Sequence, residues 1–241
     1  VRLSAQLGFK IEKNTATAIK KSIPLLKNIS RERVREEILR LLGAYKPVSG
    51  LEYLAQLGAW EHVFGVKRSA LPADYRNIRL VGSPEPIDWV IGLAIGGLVG
   101  DPCGDTRSTT KKLSDLLRLS RGETKLLELC LDLYEDSAVD PAVKNITRPA
   151  PSRWVELASE RREFIEFLKS FVRRSRGPTK IQKDKSLLFL EQVLRWARTP
   201  TKTSAWPTAK MVTDETKAEG ARLGQLLADR HWETFWKRPQ A

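Results

Sequence analysis

Residues 2–42, RLSAQLGFKIEKNTATAIKKSIPLLKNISRERVREEILRLL, decide the fold. Asn14 or Thr15 can cap a helix that carries Ala18, Ile19 and Ile23. Pro24 either closes that helix or begins the next turn. Ser30 stands where an N-cap belongs, and Glu32 in the first turn complements the helix dipole. Val34, Ile38, Leu41 and Leu42 then recur at helical spacing, with Gly43 as the stop. Arg31, Arg35 and Glu36 fall largely off that apolar stripe. From spacing alone, Glu32, Arg33 and Glu37 read as a solvated helix face with local ion pairs.

Outward from this stretch the chain keeps a helical pattern. Ser49 is expected to cap a helix bearing Leu51, Leu54 and Leu57, with Gly58 at its end. Residues 65–86 carry Pro72, Gly82, Pro84 and Pro86 and read as a long connection, with one strand-like patch at Ile78 to Val81. Apolar content rises from Ile87, and DPCGD at 101–105 reads as a turn. Lys111 to Leu119 and Glu123 to Leu133 form two helical patterns. Leu113, Leu116 and Leu117 face inward in the first, and Leu126, Leu127, Cys130, Leu131 and Tyr134 in the second. Pro141, Pro149 and Pro151 mark a boundary. One helix is expected from Ser152 to about Val172 and another from Leu187 to Trp196, joined by RRSRGPTKIQKDK. The last segment places a glycine-containing turn before a final helix.

The 241 residues are 41% hydrophobic and 29% charged, which supports a real core and excludes disorder throughout. A net charge of +13 favours a polyanionic partner, nucleic acid before anionic membrane. No apolar run reaches membrane-spanning length; Trp89 to Val99 is interrupted by Gly92, Gly96 and Gly97. Cys103 and Cys130 form no metal or redox pattern, which fits a reducing compartment. A chain that begins at Val1 without Met is expected to be a fragment, a processed product or an incompletely assigned sequence.

Catalytic candidates are few. Asp101 and Asp105 flank a turn, where loop capping explains them. Asp132, Glu135 and Asp136 read as solvated acids at a helix end. His62 and His231 lack a partner at ligand spacing, and GGLVGD lies in an apolar helix rather than a phosphate loop. We therefore expect no catalytic residue and no metal site. The basic residues say more. Arg173, Arg174, Arg176, Lys180, Lys183 and Lys185 crowd one segment between helices, and Lys20, Lys21 and Lys27 form a smaller group. Both suit phosphate contacts, which position an RNA without reading its bases. Trp206, beside Pro207 in a polar stretch, is the tryptophan expected to be exposed and able to stack on a base.

Arg2, Leu3, Leu7, Gly8, Phe9 and Ile11 resemble the RF-x-x-x-LGF-x-I segment of class II tRNA nucleotidyltransferases, the CCA-adding enzymes, and of bacterial poly(A) polymerases. Ile29, Ser30, Glu32, Arg33 and Glu37 resemble that family's motif E, and Gly220, Gly224, Leu227 and Trp232 its tail. Leu3 replaces the usual Phe, and Gly220-Ala221 replaces Gly-Pro or Gly-Lys. The resemblance implies an all-α, elongated array: a neck (1–44), a body (45–150) and a tail with a basic linker (151–241). It gives Arg2, Glu32, Arg33 and Glu37 to the neck motif. It also implies RNA as partner, at the acceptor and elbow side of a tRNA. The family's phosphate loop, DxD metal pair and EDxxR nucleotide template are not in the sequence. Mg²⁺ and CTP or ATP would belong to that catalytic head, so the chain is expected to be inactive alone. The alternative is a non-catalytic RNA-binding or scaffold subunit of a larger ribonucleoprotein, such as an organellar ribosome that includes rRNA. A third reading is a separately encoded half that joins a head from another polypeptide. Mitochondrial or cytoplasmic location, with no membrane partner, follows from the same resemblance.

Overall fold

A computed structural model describes residues 1–76, 78, 84–100, 106–135, 151–175, 179–198 and 206–237. Every regular element among them is helical, so the all-α expectation holds. The chain divides into two compact units, Val1–Leu131 with Ser170–Gly177, and Asp132–Lys169 with Pro178–Ala241.

The first unit begins with α1 (Arg2–Leu7), α2 (Lys13–Ser22), a 3-10 turn (Ile23–Asn28) and α3 (Arg31–Leu42). Glu12 caps α2, not Asn14 or Thr15: its backbone is extended and its carboxylate accepts the Thr15 N–H at 3.1 Å. Pro24 opens the 3-10 turn rather than closing α2. Ser30 caps α3 by accepting the Arg33 N–H at 3.4 Å, and Gly43 ends it. Ile38, Leu41 and Leu42 form the buried stripe.

Next come α4 (Pro47–Gln56), α5 (Trp60–Phe64) and α6 (Ala73–Arg76). α4 starts at Pro47, ahead of the expected Ser49 cap, because a proline's fixed φ suits the first helical position. The strand-like patch falls mostly on 79–81, outside the described residues, as does the DPCGD turn.

α7 (Pro86–Ile95) is the apolar centre of this unit, buried from Ile87 onward. The Asp88 carboxylate accepts the Glu85 N–H at 2.9 Å and so covers an open donor at the helix start. Gly92 leaves room for the Phe171 ring, 2.7 Å from where a Cβ would stand, and Phe171 meets Trp89 edge-on at 6.0 Å.

α8 (Thr106–Leu117) and α9 (Arg121–Glu135) complete the series. α8 starts earlier than Lys111 because Thr106, Thr109 and Thr110 are buried along with Leu113 and Leu117, so its inner face is partly hydroxylated and escapes a purely apolar pattern. Ser120 and Glu123 form a reciprocal cap at the start of α9, with Ser120 N–H to the carboxylate at 2.7 Å and Glu123 N–H to the hydroxyl at 3.2 Å.

The second unit holds α10 (Pro151–Glu160), the first part of α11 (Arg162–Arg174), α12 (Lys180–Arg198), α13 (Ala209–Thr216) and α14 (Gly220–Lys237). The helix expected from Ser152 to Val172 is two, broken at Arg161, whose guanidinium lies 4.7 Å from the Phe164 ring centre. α12 begins at Lys180, not Leu187. Thr179 and Gln182 cap it reciprocally, at 2.5 and 3.2 Å. Its aromatic core sets Phe189 against Trp154, Trp232 and Phe235, and Trp196 against Trp206 and Phe235. His231 joins this core. It lies 3.1 Å from the Ser152 hydroxyl, and its Nε2 donates to the Pro207 carbonyl at 2.7 Å. Burial pushes its pKa down, the Pro207 bond opposes this, and Arg153 adds to the lowering.

Candidate nucleic-acid interface

Most of the charges on α3 are engaged in holding the first unit together. Arg31 donates to the His62 carbonyl at 2.6 Å. Arg35 reaches both oxygens of Glu123 at 2.9 Å. Burial raises the Glu123 pKa, but the Ser120 N–H and hydroxyl and the Arg35 guanidinium outweigh it and hold the carboxyl below its ordinary value. Two motif residues are also paired, Glu37 with Arg2 at 2.7 Å and Glu32 with Arg118 at 3.2 Å. Beside the expected local pair, Glu37 with Arg40 at 4.0 Å, these longer-range pairs connect α3 with α1 and with the residue that follows α8. Arg33 is exposed and makes no ion pair among the described residues.

Beside α3 lies a less committed surface. No side chain of α2 or of the 3-10 turn is buried. Lys20, Lys21 and Lys27 are exposed, and like Arg33 they have no acidic partner among the described residues. Ile19, Ile23, Leu26, Ile29, Val34 and Ile38 line a groove of about 460 Å³ between this segment and α3, with Lys27, Arg31 and Arg33 around it. Leu25 and Ile29 are exposed as well. The segment therefore combines unpaired cations with uncovered apolar surface.

The second cationic group does not form the expected linker. Arg173 and Arg174 end α11, whereas Lys180, Lys183 and Lys185 lie in the first two turns of α12. Arg173 is exposed, but Arg174 is structural: its guanidinium donates to the carbonyls of Asp74 and Ser170, both at 2.8 Å. Arg176 lies outside the described residues. Lys180 is exposed, with Lys183 and Lys185 half-buried.

Trp206 corrects the sequence expectation. It is only 6% exposed, 5.3 Å from both the Trp196 and His231 ring centres and stacked near Phe235. Only the fold brings the aromatic residues of α12 and α14 to it, so its polar neighbours concealed this burial. Among the described residues, the exposed aromatics lie elsewhere, at Phe9 (68%) and Tyr45 (78%), each followed by a lysine. That aromatic-lysine pairing is a signal the sequence carried. Among the described residues, no three His, Cys, Asp or Glu side chains could hold a metal ion.

The segment with the open cations coincides with a known family. A family model described as the probable RNA and SrmB-binding site of polymerase A matches residues 8–67. CCA-adding enzymes from two Limosilactobacillus reuteri strains, DSM 20016 and JCM 1112, are each 35% identical to the chain over 69 residues. That span is 29% of this chain and 17% of each relative. No solved structure matches.

Proposed function

We propose that this chain, whose residues 8–67 place it in the tRNA nucleotidyltransferase and poly(A) polymerase family, is the RNA-holding part of such an enzyme. It binds the acceptor and elbow side of a tRNA-like RNA and does not add nucleotides alone. One observation carries this proposal. Lys20, Lys21, Lys27 and Arg33 lie within the matched segment, uncommitted to any ion pair among the described residues, while the other arginines of α3 except Arg40 hold more distant parts of the first unit. Arg40 only approaches Glu37, at 4.0 Å on the same helix. Cations left unpaired on a basic chain suit phosphate contacts, which supply affinity and orientation.

Nucleotide transfer needs carboxylates that hold divalent ions around the reacting phosphates. The described acids do not converge in that way, so no catalytic step is assigned to them. A second reading, a scaffold subunit of a ribonucleoprotein, is favoured by the uncovered apolar groove, which suits a protein neighbour. One assay separates them. The chain is incubated with Mg²⁺, CTP, ATP and a tRNA lacking its 3′ end, with and without a family catalytic head supplied as a second polypeptide. The enzyme reading expects incorporation only when the head is present, and weaker incorporation with Arg33→Ala. Failure to incorporate with any active head favours the scaffold. Incorporation by the chain alone contradicts both.

A further inference from the structure

The turn after α1 and the turn after α3 are fixed side by side. Gly8 ends α1 in the left-handed conformation (φ 73°). The Lys46 N–H donates to the Ala5 carbonyl at 3.0 Å, and the Lys46 stem crosses Gly8, with Nζ 3.3 Å from where a Cβ would stand. The Ser4 hydroxyl donates to the Phe9 carbonyl, and the Ile11 N–H donates to the Tyr53 hydroxyl at 3.2 Å. Ser4 and Ala5 are themselves buried, so both turns are anchored on packed residues. Each turn nevertheless leaves one ring in water, Phe9 at 68% and Tyr45 at 78% exposure. The Lys46 ammonium is common to both. It lies 5.7 Å from the Tyr45 ring centre and against Gly8, and Lys46 lines one pocket with Phe9 and Lys10.

These features select the occupant. Two rings on a rigid base, each followed by a lysine, suit an unpaired nucleic-acid strand on a chain of net charge +13. Every base has a π face, so its stacking on an exposed ring needs no particular sequence. Lys10 and Lys46 make no ion pair among the described residues and suit the phosphates beside the stacked bases. A duplex does not use such rings, because its bases already stack on one another and present only grooves and backbone. The lysines of α2 and the 3-10 turn differ in this respect: residues 10–44 contain no aromatic residue, so that surface offers cations without stacking faces. The first unit thus carries one surface suited to phosphates alone and one suited to phosphates and bases together. Holding the rings in place beforehand also lowers the ordering cost of binding.

We propose that Phe9 and Tyr45 form a stacking platform for an unpaired stretch of RNA, with Lys10 and Lys46 on its phosphates. This rests on the RNA-binding proposal above and adds which part of the RNA is held without base pairs. The test is fluorescence anisotropy of the full chain with three labelled RNAs: a single-stranded octamer, the same octamer made abasic at its central positions, and a tRNA-sized RNA. The wild type should bind the intact octamer at least about tenfold more tightly than the abasic one. Phe9→Ala and Tyr45→Ala should each weaken the intact octamer by about tenfold and leave the abasic one within about twofold. Both variants should melt within about 2 °C of wild type, because the rings are exposed. Tyr45→Phe, which keeps the ring, should bind like wild type, whereas Tyr45→Leu, which keeps only apolar bulk, should lose as much as Tyr45→Ala. Lys46→Ala should make the salt slope for the octamer shallower by about one. Equal affinity for intact and abasic octamers, or an unchanged octamer affinity when both rings are replaced by Ala, would overturn the proposal. A changed sedimentation coefficient in that double variant, with octamer affinity unaltered, would instead assign the rings to a contact between protein copies. Binding of the tRNA-sized RNA without binding of the octamer would overturn the platform alone; binding of neither would overturn the broader function with it.

Discussion

α7 and α2 are both ten residues long, yet α7 is buried from Ile87 to Ile95 and α2 buries nothing. α7 has a single acid, Asp88, which caps its own helix, and its glycine admits the Phe171 ring. α2 has lysines at 13, 20 and 21 and is held mainly by the Glu12 cap, the adjoining 3-10 turn and one edge of an open groove. Helical form thus has two origins in one unit. Packing imposes it on α7; on α2, local capping and spacing suffice while the side chains stay available. Substitutions in the two helices should therefore separate stability from binding.

The largest effect belongs to α7. Trp89→Ala removes a ring that is 1% exposed and should lower unfolding stability by about 3–5 kcal/mol. Ile19→Ala in α2 should cost less than about 1 kcal/mol, because that side chain is only half-buried. Urea titrations of both variants check this. Similar losses would erase the contrast between the helices.

A smaller effect is expected at the Arg35–Glu123 pair, which lies between those extremes of burial. Glu123→Gln should lower stability by about 1–3 kcal/mol at neutral pH. Because the folded Glu123 pKa is lowered, the carboxylate's contribution is complete above the unfolded carboxylate pKa and is lost as pH falls through the folded value. Wild type and Glu123→Gln should therefore converge in stability in acid. A constant difference from pH 7 down to pH 2 would mean that the substitution acts by packing rather than charge.

Much of this organisation was legible in the residues. Ser30, the stripe of Ile38, Leu41 and Leu42, and Gly43 define α3 almost to the residue, because caps and helical periodicity are local signals. Residues 8–67 also carry enough family character to be matched by a family model. The misplaced boundaries had local causes that charge or polarity concealed. Thr179 and Gln182 start α12 inside a segment whose lysines suggested a loop, and buried threonines extend α8. The candidate site was less legible. Nothing near Glu32 or Glu37 in sequence names Arg118 or Arg2 as partners. Trp206 is buried by aromatics on helices that only the fold brings to it. Tertiary contacts decide which charges are consumed, and the lysines of α2 and the 3-10 turn stand out once those contacts are known.

The smallest expected effect on stability falls on those lysines, and it tests the central claim most directly. The chain with Lys20, Lys21 and Lys27 all replaced by Ala should melt within about 2 °C of wild type, since the three are exposed and unpaired among the described residues. Its affinity for a tRNA-sized RNA is then measured across a salt series. The account predicts at least about tenfold weaker binding at low salt, and a slope of log affinity against log salt shallower by about two to three. Unchanged affinity and slope at an unchanged melting temperature would contradict it.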